Sequence, residues 1–218
     1  MRTQPQSFLR QPLSAVFANA ASARVLRVLA QHGGELSAPM LAQRSRLTRP
    51  SVLAALDHLA ALGFVDSIGS VRQRLHRIDN RHPLAPAISA LFAAEADRFD
   101  RIIEAVQAAA TESGVAAAWL YGSVARGEDR PGSDIDIAIV ASTDLATEKM
   151  AVRDALRAFE GELRFSASVV ALDAADIRRL AQEGDPWWRA LLAEAVPLVG
   201  PDPQTLAASL SARQRGAA

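Results

Sequence analysis

Two aspartates separated by one residue, Asp134 and Asp136, stand at the head of an apolar run containing Ile135, Ile137, Ile139 and Val140. In a strand, alternate side chains share a face, so both carboxylates point one way and the isoleucines the other. Two carboxylates a few ångströms apart repel unless positive charge lies between them. A hard divalent cation with oxygen ligands, Mg2+ before Mn2+, fills that role. Upstream, Gly122 and Ser123 close a second apolar run, Val115 to Tyr121. Glycine lets the backbone approach a phosphate closely, and Ser123 adds a hydroxyl where a helix begins. A metal-binding carboxylate pair beside a phosphate cradle is equipment for phosphoryl or nucleotidyl transfer.

The elements that must position these groups read, over Trp119 to Val140, as strand, glycine turn, short helix start, loop and strand. Gly122-Ser123, ten intervening residues and Asp134-x-Asp136 resemble the signature of the DNA polymerase β nucleotidyltransferase superfamily. With Ala125-Arg126-Gly127 and Ser133 the stretch is similar to the minimal nucleotidyltransferases of bacteria and archaea. The resemblance implies a small mixed sheet flanked by helices. It also implies a nucleoside triphosphate, ATP first, bound by Gly122, Ser123 and Arg126, with Asp134 and Asp136 as metal ligands and catalytic residues. The acceptor would be a hydroxyl on a protein or a small molecule.

That superfamily usually adds a third carboxylate from the neighbouring strand, acting as a base or as a second-metal ligand. The corresponding strand here, Arg164 to Leu172, has Ser166 and Ser168 where an acid is expected; Glu162 and Asp173 lie only at its ends. Two expectations follow. The chain is an enzyme working without that acid, or it binds metal and nucleotide as a sensor that modulates transcription. A third reading is membership of a toxin–antitoxin or defence pair that modifies a partner protein.

Charge divides the chain. Residues 1–82 hold eleven arginines against four acidic residues, an excess of seven positive charges; the remainder carries an equal negative excess. A basic module that meets an acidic partner therefore precedes an acidic one. In the basic part, apolar spacing predicts a helix from about Ala15 to His32, closed by Gly33-Gly34. Ser37 and Thr48 cap the next two helices, and Phe64 to Ile78 reads as a hairpin with arginines at its tip. This order resembles a winged helix-turn-helix of the MarR and ArsR type, which implies DNA as a partner. The helix from Thr48 to Leu62 would enter the major groove. The spacing places Val52, Leu53, Leu56 and Leu59 in the core and Arg49, Ser51, Ala54 and His58 outside. Arg46, Arg49, Ser51, His58 and the wing residues Arg72 and Arg74 are the candidate DNA contacts.

The expected organisation is a DNA-binding winged helix over 14–82, a linker or domain helix over 83–113, a nucleotidyltransferase domain over 114–200 and a C-terminal tail over 201–218. Together they make a mixed α/β (α+β) chain. Asp173 and Asp185 are predicted to cap two late helices, the second opening with Pro186. Trp187 and Trp188 are expected in the core with partial exposure, in preference to a base-stacking role. The lack of cysteine excludes disulfides and thiolate metal sites and fits a cytoplasmic setting. No apolar run reaches transmembrane length, and no secretory leader stands out, so no membrane role is expected. Because winged helices commonly read palindromes as dimers, a homodimer is expected.

Overall fold

The computed structural model describes residues 7–70 and 73–216. The chain divides into two compact units, Met1–Asp97 and Arg98–Ala218.

The first unit opens with α1 (Pro12–Phe17) and α2 (Ala20–His32). The single helix expected over this stretch is broken at Asn19, whose extended backbone lets its side chain accept from Ala21 N–H as an N-cap. Apolar periodicity continues through the break, which is why spacing alone does not reveal it. Short β1 (Leu36–Ser37), α3 (Ala38–Ser45) and α4 (Arg49–Ala61) follow, with Ser37 and Thr48 as side-chain caps. A hairpin, β2 (Val65–Ile68) and β3 (Leu75–Ile78), pairs with β1 in the order β1-β3-β2. The core gathers Val25, Leu26, Leu29, Leu41, Val52, Leu56, Leu59 and Phe64. This is a winged helix-turn-helix. Leu53 is not part of that core: it is 42 % exposed, and Ala55 takes the inward position.

A 28-residue helix, α5 (Ala85–Glu112), runs from the first unit into the second. The second unit is built on a four-stranded sheet ordered β6-β5-β4-β7. Its strands are β4 (Ala117–Tyr121), β5 (Ile135–Val140), β6 (Ala167–Leu172) and β7 (Val196–Val199). β4 is antiparallel to β5 and β7, whereas β5 and β6 run parallel. Between them lie α6 (Gly122–Arg126), α7 (Leu145–Leu163), α8 (Ala174–Glu183) and α9 (Pro186–Glu194).

Strand alternation gives the sheet two covered faces. Ala118, Leu120, Ile135, Ile137 and Ile139 pack with Ile102, Val106, Val152 and Leu156 from α5 and α7. On the other face Ala117, Trp119, Ala138 and Val140 meet Ile177, Leu180, Trp188 and Leu191 from α8 and α9. Trp188 is buried while Trp187 is half-buried. The stretch after Gly200, expected as a tail, forms α10 (Pro203–Gly216), and Leu206, Ala207 and Leu210 pack on this second face. Its Ala- and Ser-rich composition conceals that apolar row. No helix among the described residues is long and apolar enough to cross a membrane.

Candidate functional site

Asp134 and Asp136 stand at the start of β5, on the sheet face that packs against α8 and α9. Because β6 runs parallel to β5, the starts of both strands meet: Asp136 lies opposite Ser168 in the register, and Ile135 N–H donates to Ser166 O at 2.8 Å. The Ser166 hydroxyl donates to Asp134 Oδ1. On the other side, antiparallel β4 brings its end to the same place, with Tyr121 opposite Asp136. The loop leading to Asp134 is closed by Ser133, whose hydroxyl accepts from Arg130 N–H at 3.0 Å and whose N–H reaches Arg130 O at 2.9 Å.

Gly122 occupies the left-handed region at φ 76°, and a Cβ there would run into the Asp136 carboxylate. Both constraints demand glycine. α6 then turns away and is closed by Gly127; Ser123 lies in its first turn, and Arg126 at its end is close enough to act on the Asp136 charge.

Burial pushes the Asp136 carboxyl above its ordinary value; the charge of Asp134 adds to this and Arg126 partly opposes it. The Tyr121 hydroxyl is likewise raised, first by burial and then by Asp136. The site is thus rich in negative charge, and its donors are hard oxygens. That donor set fits a hard divalent cation. Among the described residues no group of three or more His, Asp or Glu gathers as a metal cage.

The acids flanking β6 do not replace the missing carboxylate. Glu162 pairs with Arg101, and Asp173 caps α8 in a reciprocal capping box with Asp176. A different acid, absent from the sequence reading, does enter the site. Glu194, at the end of α9, accepts from Gly122 N–H at 3.2 Å and from Arg126 Nη1 at 2.6 Å. Arg126 also donates through Nε to Glu128 at 2.8 Å. Glu194 lies 72 residues beyond Gly122, and no local spacing announces it. α9 presents Trp187, Leu191 and Glu194 on one face at helical spacing. Leu191 is buried, and the Trp187 ring meets Tyr121 edge-on at 5.6 Å.

In the first unit, Arg46 sits in the turn before α4 with left-handed backbone at φ 52°, capping α3 through its N–H. Arg49 opens α4, and Arg74 precedes β3; both are exposed and line one open cavity of about 620 Å³, together with Leu53, Asp57 and His76. His76 is held below its ordinary pKa by burial and then by Arg74. Ser51 is drawn into the helix cap, its hydroxyl 2.8 Å from Thr48 Oγ1. His58 departs from the sequence reading. It is half-buried, with Nε2 3.1 Å from the Ala15 carbonyl, because its position on α4 faces α1 and not the outer side. Arg72 lies outside the described residues.

Two stretches of the chain match known family models. Residues 104–183 match the family model described as polymerase beta, nucleotidyltransferase, and residues 19–74 match that of the MarR family. No curated protein matches the chain. Among solved structures, NadR in complex with 4-hydroxyphenylacetate is similar at 22% identity, covering 48% of this chain and 85% of that one, with a TM-score of 0.33. A toxin–antitoxin with AMP-PNP is similar at 18% identity, covering 47% of this chain and 76% of that one, TM-score 0.31. A mutant of the toxin–antitoxin MntA–HpeT is similar at 15% identity, covering 47% and 75%, TM-score 0.30. The chain carries a winged helix of the MarR family followed by a nucleotidyltransferase domain of the polymerase beta family.

Proposed function

We propose that the second unit binds Mg-ATP at Asp134, Asp136 and Gly122 and transfers a nucleotidyl group to a hydroxyl of a protein or small molecule. The observation that carries this reading is the fit of the Gly122 turn against the Asp136 carboxylate. It sets a backbone N–H and a carboxylate pair within one short reach, so phosphate and metal ligands are adjacent. Asp134 and Asp136 would hold the metal, Mg2+ or Mn2+, with phosphate oxygens and water as its remaining ligands. The metal supplies charge neutralisation on the phosphates. Gly122 N–H, Ser123 and Arg126 would orient the phosphate chain. The domain assignment that accompanies this is DNA binding over 14–82, a connecting helix over 83–113 and transfer over 114–200.

Incubation with labelled ATP, Mg2+ and candidate acceptors tests the proposal beside an Asp134→Ala/Asp136→Ala chain. Metal-dependent label that the double variant loses is the expected result; no label on any acceptor counts against transfer.

A second reading is favoured by Ser166 and Ser168, which stand where a proton acceptor is needed and cannot serve as one at neutral pH. Here the unit binds Mg-nucleotide without fast chemistry and tunes DNA binding by the winged helix. Such coupling is reciprocal: DNA would change nucleotide affinity by the same factor. Identical operator affinity with and without Mg-nucleotide would sink it. In both readings a cytoplasmic homodimer meets a palindromic operator through Arg46, Arg49 and Arg74, which light scattering and footprinting check.

A further inference from the structure

We propose that Glu194 makes the nucleotide site selective for metal-bound over metal-free nucleotide; this rests on the site reading above. The two groups suited to a phosphate, Gly122 N–H and the Arg126 guanidinium, are both engaged by one carboxylate. The Glu194 side chain is 20% exposed, so its charge is poorly screened by water. It is held in place by its own helix. Asp185 caps α9 by accepting from Trp187 N–H and Trp188 N–H, Leu191 is buried, and Trp187 is set against Tyr121.

Around Gly122 and Arg126 the chain thus gathers four carboxylates: Glu128 and Glu194 on the guanidinium, Asp136 against Gly122, and Asp134 beside Asp136. An incoming triphosphate must displace Glu194 from these donors and then sit beside its charge. A nucleotide without metal meets that repulsion in full. With metal bound, its charge is reduced and Asp134 and Asp136 become partners instead of repellers. Glu194 is therefore a positioning residue in the free protein and a charge filter during binding. Nucleotide enters only by exchanging one anion for another, and the metal decides which anion wins. One unit charge about 5 Å away at an effective dielectric of about 20 is ample for a tenfold effect.

The test is isothermal titration of ATP into the full chain, with Mg2+ and with EDTA, for wild type and Glu194→Gln. The glutamine keeps shape and can still accept from Gly122 N–H, but carries no charge. Metal-free ATP should bind about tenfold tighter to Glu194→Gln, with a smaller gain for Mg-ATP, so that the ratio of the two dissociation constants falls. An unchanged ratio, or weaker binding in both conditions, overturns the inference while leaving the site reading intact. A wild type and variant that both bind neither form overturn the site reading itself. A wild type that binds only with Mg2+, beside a variant that binds without it, is the strongest support. If circular dichroism shows Glu194→Gln unfolded, Glu194→Ala is read by the same criteria, since it removes the charge without leaving an amide to satisfy.

Discussion

The hydroxyl of Ser166 donates to Oδ1 of Asp134 across the seam between β5 and β6. The hydroxyl holds the carboxylate in place without being able to take a proton from a substrate. Installing an acid on this edge should restore what the edge lacks. Ser168→Asp, opposite Asp136, is expected to raise metal-dependent transfer by about 10²-fold, in line with the contribution of a general base. Ser166→Ala should leave transfer within a few-fold of wild type. Single-turnover incorporation of label measures both. A Ser168→Asp chain no faster than wild type would mean that the acid is not the limiting deficit.

Asp136 carries a conflict between function and stability. Its pKa is raised, so its charged form is disfavoured in the folded state. A raised carboxyl adds stability as pH falls through the folded value and withholds it at neutral pH. Asp136→Asn is therefore expected to stabilise the metal-free chain at pH 7 by about 1 kcal/mol, measured by denaturant unfolding. The same change should abolish any rise in melting temperature on adding Mg2+ and ATP, a rise that ligand linkage predicts for wild type.

Glu148 behaves in the opposite sense. It lies in the first turn of α7 and accepts from Ser142 N–H at 2.9 Å and from Thr143 N–H at 2.7 Å, with the Thr143 hydroxyl at 2.9 Å. Burial works to raise its pKa, but these hydrogen bonds outweigh it, and the net displacement is downward. Its contribution is thus fully present above the ordinary glutamate range, about 4.3, and is lost as pH falls through the lower folded value. Glu148→Ala should cost about 2 kcal/mol at pH 7. The gap between wild type and variant should close in acid, which urea unfolding at a series of pH values will show.

In the winged helix, Arg49 and His58 should part company. Arg49→Ala with Arg74→Ala is expected to lower the slope of log affinity against log salt by about 2 for any duplex. His58→Ala should leave that slope unchanged. It should cost about 1 kcal/mol of stability through the lost hydrogen bond to the Ala15 carbonyl. Fluorescence anisotropy across a salt series reads the first pair, and thermal unfolding reads the second.

The contrast between these residues marks what could be read from sequence. Strand parity alone places Asp134 and Asp136 on one face, and the serines at the start of β6 follow from the same rule. The caps at Ser37, Thr48, Asp173 and Asp185 are local chemistry and are legible for that reason. Hydrophobicity alone turns Leu53 inward, whereas the helix buries Val52, Ala55, Leu56 and Leu59, a row in which a small alanine goes unnoticed. Counting Leu53 into the stripe rotates the helix and so turns His58 outward, where the structure has it half-buried against Ala15. Glu194 is of another kind: its partners Gly122 and Arg126 are brought to it by β7, α9 and the sheet order, which no short window of sequence contains.

The parallel pairing of β5 with β6 has one more consequence. Ala167 and Val169 hold the sheet from within, while Ser166 and Ser168 look out at the carboxylates and bear little of the core. These two positions therefore answer to charge at the carboxylates and not to packing: an acid there would leave the core intact while adding repulsion to the metal-free site. On the proposed function, the difference between transferring a group and only binding nucleotide would therefore turn on side chains that lie outside the core.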